Sequence, residues 1–101
     1  LPPIGDSFHE ILCAIRNRQM IEIAYEHYRN ANKSGIHILS PLLLKESQHR
    51  WYVIGYNEAE ELRVYALERI KGVNILVHRR FKFKPINRIN VITIFILITN
   101  I

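Results

Sequence analysis

The chain has 101 residues, a length that suits one domain with a modest core rather than a catalytic domain joined to a regulatory one. Hydrophobic residues make up 49% and charged residues 23% of the sequence, which excludes a fully disordered chain. The single cysteine, Cys13, excludes a disulfide framework and a cysteine-rich zinc module, and it fits a reducing cytoplasm. No apolar run reaches the roughly 18 residues that span a bilayer, so we expect no membrane segment.

The net charge is +5, and it is unevenly distributed along the chain. Residues 1–68 carry seven Lys and Arg and all nine Asp and Glu, whereas residues 69–101 carry the other seven Lys and Arg and no acid. This asymmetry indicates a polyanionic partner near the C-terminal third. A solvated basic edge is the alternative interpretation.

The first elements along the chain are a linker and a helix. Residues 1–6 contain prolines and a glycine that disfavour a helix, so we expect an interdomain linker, and the start at Leu1 without methionine predicts a piece of a longer protein. Ser7 and Glu10 have the spacing of a capping box, which predicts a helix that begins at Ser7. The apolar residues that follow recur at helical spacing: Phe8, Ile11, Leu12 and Ile15. We expect this helix to end near residues 17–19 and to cover a sheet.

After the helix the periodicity changes to two, which predicts short strands separated by polar turns. Five strands are predicted, at residues 20–26, 36–44, 50–56, 62–67 and 73–83. Pro41 has no N–H for a central ladder, so we expect a bulge there, and Gly55 predicts a bend. One helix followed by five strands predicts a mainly β fold, a small five-stranded antiparallel barrel whose closure protects the strand edges.

Residues 85–101 depart from this pattern. From Asn90 onward they are rich in isoleucine and carry no charge, a composition that promotes aggregation when it is exposed. Three interpretations are open for this atypical tail: an extra strand, a partner-binding edge, or the non-native end of a truncated or frameshifted reading frame. We favour the last, because the ordered basic pattern stops abruptly at Pro85.

Three motifs follow the helix in a fixed order. They are Ile21–Tyr25, then Ser40–Leu44 with Arg50–Tyr56, and then Arg63–Ile70. Together, over about residues 8–83, they resemble the WYL domain, a sensor module of bacterial transcription regulators. The family is named after a Trp-Tyr-Leu tripeptide, which reads Trp51-Tyr52-Val53 here, and valine keeps the apolar, β-favouring character of that position.

The resemblance implies an Sm-like or SH3-like barrel with an N-terminal helix over residues 7–84. It also implies a groove of aromatic and basic residues that binds a nucleotide or short single-stranded nucleic acid and so switches the regulator. In such regulators an N-terminal winged helix-turn-helix binds operator DNA, and a C-terminal extension helps to form a homodimer. We recognise neither part within residues 1–101, so we expect operator binding and dimerisation to need other parts of a longer protein.

A site for single-stranded nucleic acid combines aromatic faces, on which bases stack, with cations that contact phosphates. The candidate ligand-binding residues of these two kinds are Tyr25, His37, Arg50, Trp51, Tyr52, Arg63, Tyr65 and Arg69. Strand alternation places Trp51 and Tyr52 on opposite faces, and only the register decides whether Tyr52 shares a face with Arg63 and Tyr65. Arg50 and Arg63 have no acid at an obvious pairing position, which favours ligand binding.

The other candidates also have purely structural interpretations. Trp51 would then pack against the core, and Tyr25 and Tyr65 would be core residues whose hydroxyls are hydrogen-bonded. Arg69 would form an ion pair with its neighbour Glu68. His37 would simply be exposed at the edge of a loop.

The sequence carries no enzyme signature. His9 and Cys13 lie four residues apart on the helix, but no third metal ligand is near in sequence, and we expect Cys13 to be a small buried residue. No Ser/His/Asp arrangement, Gly-rich phosphate loop or paired acidic motif is present. We therefore predict a cytoplasmic, non-enzymatic regulatory domain that needs no metal or cofactor. One alternative is an SH3-like module that docks a partner protein through its aromatic surface. Another is a degenerate fragment without activity, which an insoluble Ile-rich tail would favour.

Overall fold

The computed structural model describes residues 5–80 and the separate positions 92, 96 and 99. One helix precedes five strands: α1 (Asp6–Asn17), β1 (Gln19–Tyr25), β2 (Gly35–Ser47), β3 (Arg50–Asn57), β4 (Leu62–Ala66) and β5 (Ile70–Arg80). The predicted order of elements is confirmed. The atypical tail predicted at residues 85–101 lies outside the described residues, apart from those three positions. Within the described part, no helix has both the length and the apolar character needed to cross a membrane.

The two ends of α1 are capped by backbone groups rather than by side chains. Its N-cap is Gly5, which makes no side-chain cap hydrogen bond. The predicted capping box of Ser7 and Glu10 is therefore wrong, because the helix begins earlier and Ser7 lies inside its first turn. At the other end Arg18 has a left-handed backbone with a φ of 52°, and its N–H donates to carbonyls of the last turn.

Cys13 lies outside the helix face that contacts the sheet. Its side chain is exposed, and its Sγ accepts a hydrogen bond from Asn17 Nδ2 at 3.4 Å. The prediction that Cys13 is buried is therefore wrong. The face that enters the core is the one that carries Ile11 and Ala14, both of which are fully buried.

The strands form one antiparallel sheet in the order β4-β3-β2-β1-β5. This confirms the prediction of a mainly β fold with five antiparallel strands and an N-terminal helix. The predicted closure into a barrel is not confirmed, because β4 and β5 lie at opposite edges of the described sheet and do not pair with each other.

The short connection between β4 and β5 nevertheless requires a strongly curved sheet. Ala66 ends β4 and Ile70 begins β5, with a 3₁₀ turn at residues 67–69 between them. Across a flat sheet, four strand spacings would separate these edges by about 19 Å, whereas four residues of extended chain reach only about 14 Å. The edges must therefore approach each other at this end, where the Glu26 N–H donates to the Arg69 carbonyl at 2.9 Å.

A bulge interrupts β2 at the predicted proline. The register with β3 shifts between Pro41 and Leu43, and Pro41 itself pairs with Gly55. A Cβ on Gly55 would clash with the Ser40 carbonyl oxygen and would lie 2.9 Å from Pro41 Cα. Glycine is needed here because the two backbones approach more closely than a side chain allows.

The core lies between α1 and one face of the sheet. Its buried members are Ile11, Ala14, Ile21, Ile23, Tyr25, Leu39, Val53, Tyr65 and Ile70. Burial of each large aliphatic side chain contributes about 1.5–3 kcal/mol to folding. Because Ile70 is buried and pairs with Tyr25, β5 begins three residues before the predicted Val73. Two core members, Tyr25 and Tyr65, are also predicted ligand residues.

Candidate functional site

An open groove runs along the sheet edge that β4 forms. Its volume is about 1080 Å³, and residues of β1 to β4 and of the two connections that flank β4 border it. Seven of the eight predicted ligand residues line this edge groove, as we name it: Tyr25, His37, Arg50, Tyr52, Arg63, Tyr65 and Arg69. The eighth, Trp51, does not. The structure thus brings together residues from four separate segments of the chain.

The register between β3 and β4 decides which groove residues share a face. Val53 pairs with Tyr65, and Tyr52 pairs with Ala66. Because directly paired residues of antiparallel strands point to the same face, Tyr52 and Tyr65 lie on opposite faces of the sheet. Both still border the edge groove, because β4 is an edge strand and the space beside it is open to both faces.

Three aromatic rings pack together in one wall of the edge groove. The ring centroids of Tyr25 and Tyr65 are 4.9 Å apart in an edge-to-face arrangement, and His37 lies 5.3 Å from Tyr65. The Tyr65 hydroxyl lies 3.4 Å from His37 Nδ1, and the Tyr25 hydroxyl accepts the Ala66 N–H at 3.3 Å. Only 8% of Tyr25 and 7% of Tyr65 is exposed. These rings therefore shape the groove but offer little free face to a stacking base.

Burial also favours the protonated form of Tyr65. Desolvation raises the pKa of its hydroxyl above the ordinary value of 10.0, although the charge of Arg63 opposes this effect. The hydroxyl therefore keeps its proton at neutral pH. It donates to His37 Nδ1 or accepts from it, according to the imidazole tautomer, and it can also donate to an acceptor on a ligand.

Arg50 and Arg63 are each held by a carboxylate. Arg50 Nη2 lies 3.0 Å from Glu68 Oε1, and Arg63 Nη2 lies 3.0 Å from Glu61 Oε2. The prediction that these arginines lack an acidic partner is therefore wrong. The sequence signal for one pair was present, because residues two apart on an extended chain point to the same side. The other pair joins β3 to the 3₁₀ turn at residues 67–69 and depends on the tertiary structure.

Glu61 is held in its charged form by its neighbours. The Asn57 side chain donates to Glu61 Oε1 at 3.2 Å, and Asn57 Oδ1 accepts the Glu61 N–H at 2.9 Å. The Asn57 hydrogen bond, followed by the hydrogen bond and charge of Arg63, lowers the pKa of Glu61 below its ordinary value of 4.5. The carboxylate is therefore available at neutral pH to restrain Arg63 at the groove.

Trp51 lies at the contact between the helix and the sheet. Its ring centroid is 4.9 Å from that of Phe8 in an edge-to-face arrangement. Its Nε1 is buried and has no hydrogen-bond partner among the described residues. This placement corresponds to the packing interpretation of Trp51, and it leaves the ring away from the residues that line the edge groove.

Tyr28 lies beside the edge groove and is not among the ligand residues predicted from the sequence. It directly follows His27, which lines the groove, and 68% of it is exposed. The guanidinium carbon of Arg69 lies 5.8 Å from its ring centroid. The signal available in the sequence was the run His27-Tyr28-Arg29, in which an aromatic residue stands between two nitrogen-rich side chains just after a strand.

The edge groove has the chemistry of an anion site. Arg50, Arg63 and Arg69 supply planar forks that can donate two hydrogen bonds to one phosphate or carboxylate. Within the part of the chain that the structure describes, no group of three or more His, Cys, Asp or Glu side chains is placed to hold a metal ion. The arginines that border the groove therefore suit an anionic ligand.

Comparisons with known proteins agree with this architecture. The model of the WYL domain family matches residues 6–75, whereas a comparison with curated protein sequences found no significant match. Among solved structures, the chain is similar to proteasome accessory factor B/C (PafBC) of Arthrobacter aurescens, with a TM-score of 0.67 and 17% identity. That similarity covers 84% of this chain and 15% of that chain, and at this identity it shows a shared fold. Because the family model matches well over half of its residues, the chain belongs to the WYL domain family.

Proposed function

We propose that this chain is the ligand-sensing domain of a bacterial, cytoplasmic transcription regulator, and that its effector is a single-stranded nucleic acid or a nucleotide bound in the edge groove. The observation that carries this proposal is the convergence of seven predicted ligand residues along one groove. Membership of the WYL domain family supports the sensor role. We assign the domain no catalytic step and no cofactor.

Phosphate binding in the edge groove would proceed by exchange of ion partners. A ligand phosphate competes with Glu68 for Arg50 and with Glu61 for Arg63. All four side chains are about half exposed, and an exposed ion pair contributes only about 0–1 kcal/mol. A ligand with several phosphates can therefore displace both carboxylates at little cost in free energy.

Ligand binding would act on the regulator through the curved end of the sheet. The edge groove contacts β4 and also Arg69 in the 3₁₀ turn that leads into β5. A ligand that spans both segments favours one curvature of the sheet over others. Such a ligand could shift operator binding by an attached DNA-binding part or the formation of a homodimer by the longer protein. The size of either shift is limited by the difference in the ligand's affinity for the two conformations of the sheet.

The test is a titration of the 101-residue chain with labelled single-stranded DNA at several salt concentrations. We expect a log-log slope of about −0.7 for each phosphate neutralised. The double variant Arg63→Glu/Arg69→Glu is expected to abolish binding, because it reverses two charges at the groove. Arg16→Glu on α1 is the control for a charge reversal elsewhere, and it is expected to keep most of the affinity.

Absence of binding at low salt would reject a nucleic-acid effector, provided that the chain with its native flanking sequence also fails to bind. The Arg16→Glu control reverses one charge instead of two, so a loss of half as much log affinity in it would show that net charge, rather than the edge groove, attracts the DNA. Circular dichroism of each variant verifies that the fold is retained.

A second candidate function is docking of a partner protein through the same surface. The observation that favours it is Ile36, an apolar side chain that lines the edge groove and is 63% exposed. Apolar contacts do not depend on the groove arginines. A peptide partner would therefore still bind the Arg63→Glu/Arg69→Glu variant, whereas a polyanion would not.

A further inference from the structure

Base stacking requires an exposed ring face, and the edge groove offers few. Tyr25 and Tyr65 are almost fully buried and pack against each other, and Tyr52 is only partly exposed. The five tyrosines of the chain all lie within the described residues, and Tyr28 is the single exposed one among them. A stacking ligand in the groove would therefore find its most accessible ring just outside it.

Two cations lie over the ring of Tyr28, and most of the residue is still exposed. The guanidinium carbon of Arg69 is 5.8 Å and the Nζ of Lys71 is 5.9 Å from the ring centroid. Lys71 Nζ also donates to the Tyr28 hydroxyl at 3.4 Å. With both cations in place, 68% of Tyr28 is exposed to solvent. An exposed ring flanked by cations can stack one base and contact the adjoining phosphates.

Hydrogen bonds within its own loop restrict the position of Tyr28. The N–H of the preceding residue, His27, donates to Ser34 Oγ at 2.9 Å, and His27 Nδ1 accepts the Asn30 N–H at 3.0 Å. Asn30 Oδ1 in turn accepts the Asn32 N–H at 3.0 Å. A loop that is ordered in this way before binding loses less conformational entropy when a ligand arrives.

Arg69 makes the Tyr28 surface continuous with the edge groove. Its side chain lines the groove and also lies over the Tyr28 ring. The hydrogen bond from the Glu26 N–H to the Arg69 carbonyl, 2.9 Å long, holds the start of the loop against the 3₁₀ turn. A single strand that follows the groove arginines therefore reaches Tyr28 without crossing an uncharged gap.

We propose that Tyr28, Arg69 and Lys71 form a stacking position at the exit of the edge groove, occupied by a further nucleotide of the bound strand. This inference rests on the proposed function and deepens it. It assigns the effector to the class of oligonucleotides long enough to leave the groove, rather than to mononucleotides.

The test measures the affinity of the chain for thymidine oligonucleotides of roughly 2 to 12 nucleotides by fluorescence anisotropy. Tyr28→Ala is expected to weaken binding of the long oligonucleotides by roughly 5- to 150-fold, which is the contribution of one stacked base, and to leave the shortest ones unaffected. Tyr28→Phe keeps the ring and should keep the affinity. Lys71→Gln should reduce the salt slope by about 0.7 for the long oligonucleotides only.

Val77→Ala is the matched control, because Val77 is an apolar residue on β5 that is also exposed. Equal affinities of Tyr28→Ala and the unaltered chain at every length would overturn this inference and leave the edge groove assignment intact. An equal loss at every length would also overturn it, because Tyr28 would then act within the groove. Absence of binding by any oligonucleotide would reject the proposed function itself.

Discussion

Two acidic side chains, Glu61 and Glu68, each form an ion pair with an arginine of the edge groove in the free domain. Each ion pair has an N–O distance of 3.0 Å. A ligand phosphate must replace these carboxylates before it can contact Arg63 and Arg50. The two acids therefore lower the affinity of the groove for any anion and favour ligands that carry several phosphates.

Removal of these charges is expected to strengthen nucleic-acid binding. Glu61→Gln and Glu68→Gln should each raise the affinity for single-stranded DNA by up to roughly fivefold at neutral pH, because each releases one arginine from a weak, exposed ion pair. Fluorescence titration at fixed salt measures the change. Glu10→Gln on α1 alters the net charge equally, so a similar gain in that control would contradict the role of the ion pairs.

Among the elements, β2 and β3 approach each other closely at Gly55, and β3 carries residues of the edge groove. The bulge at Pro41 brings this part of β2 against Gly55, and the same strand β3 carries Arg50 and Tyr52 to the edge groove. A change in this approach would move the strand on which part of the groove is built. The stability of this pair of strands is therefore a condition for the site.

Gly55→Ala is expected to destabilise the domain by about 1–3 kcal/mol, because the added Cβ would meet the backbone of Ser40 and Pro41 rather than a movable side chain. Denaturation in urea measures the free energy of unfolding. Gly72→Ala on β5 is the control, since its Cβ would lie 3.9 Å from Ala24 Cβ, an ordinary contact. Equal stability of the two variants would show that β2 adapts to the extra carbon.

On the scale of the whole molecule, one side chain joins opposite parts of the curved sheet. Tyr25 belongs to β1, and its hydroxyl accepts the N–H of Ala66 at the end of the edge strand β4. Together with the bond from Glu26 to Arg69, it holds the β4 end near β1. The width of the edge groove at this end therefore depends on a buried hydrogen bond.

Tyr25→Phe is expected to reduce the free energy of unfolding by about 1–3 kcal/mol, since it leaves the buried Ala66 N–H without its acceptor while the ring packing against Tyr65 is kept. Amide hydrogen exchange should accelerate at Ala66 in particular. Tyr56→Phe makes the same change on β3 and serves as the control. Unchanged exchange at Ala66 would show that the hydroxyl does not hold β4 in place.

The sequence by itself determined the order of the elements, the bulge at Pro41 and the family to which the chain belongs. It also identified seven residues that line one groove, although their binding role stays a prediction. These features could be predicted because periodicity, the missing N–H of proline and short motifs are properties of neighbouring residues. The boundaries that were wrong, at Ser7 and Val73, lie where a backbone cap or a buried partner strand overrides the local pattern.

Only the tertiary structure decided how these residues are arranged. The register put Tyr52 and Tyr65 on opposite faces, and the curvature of the sheet brought Glu68 to Arg50. The described strands form an open sheet instead of a closed barrel, and Tyr28 rather than a buried ring presents an accessible face. Each of these outcomes depends on contacts between residues far apart in the chain, whose energies no local pattern of amino acids contains.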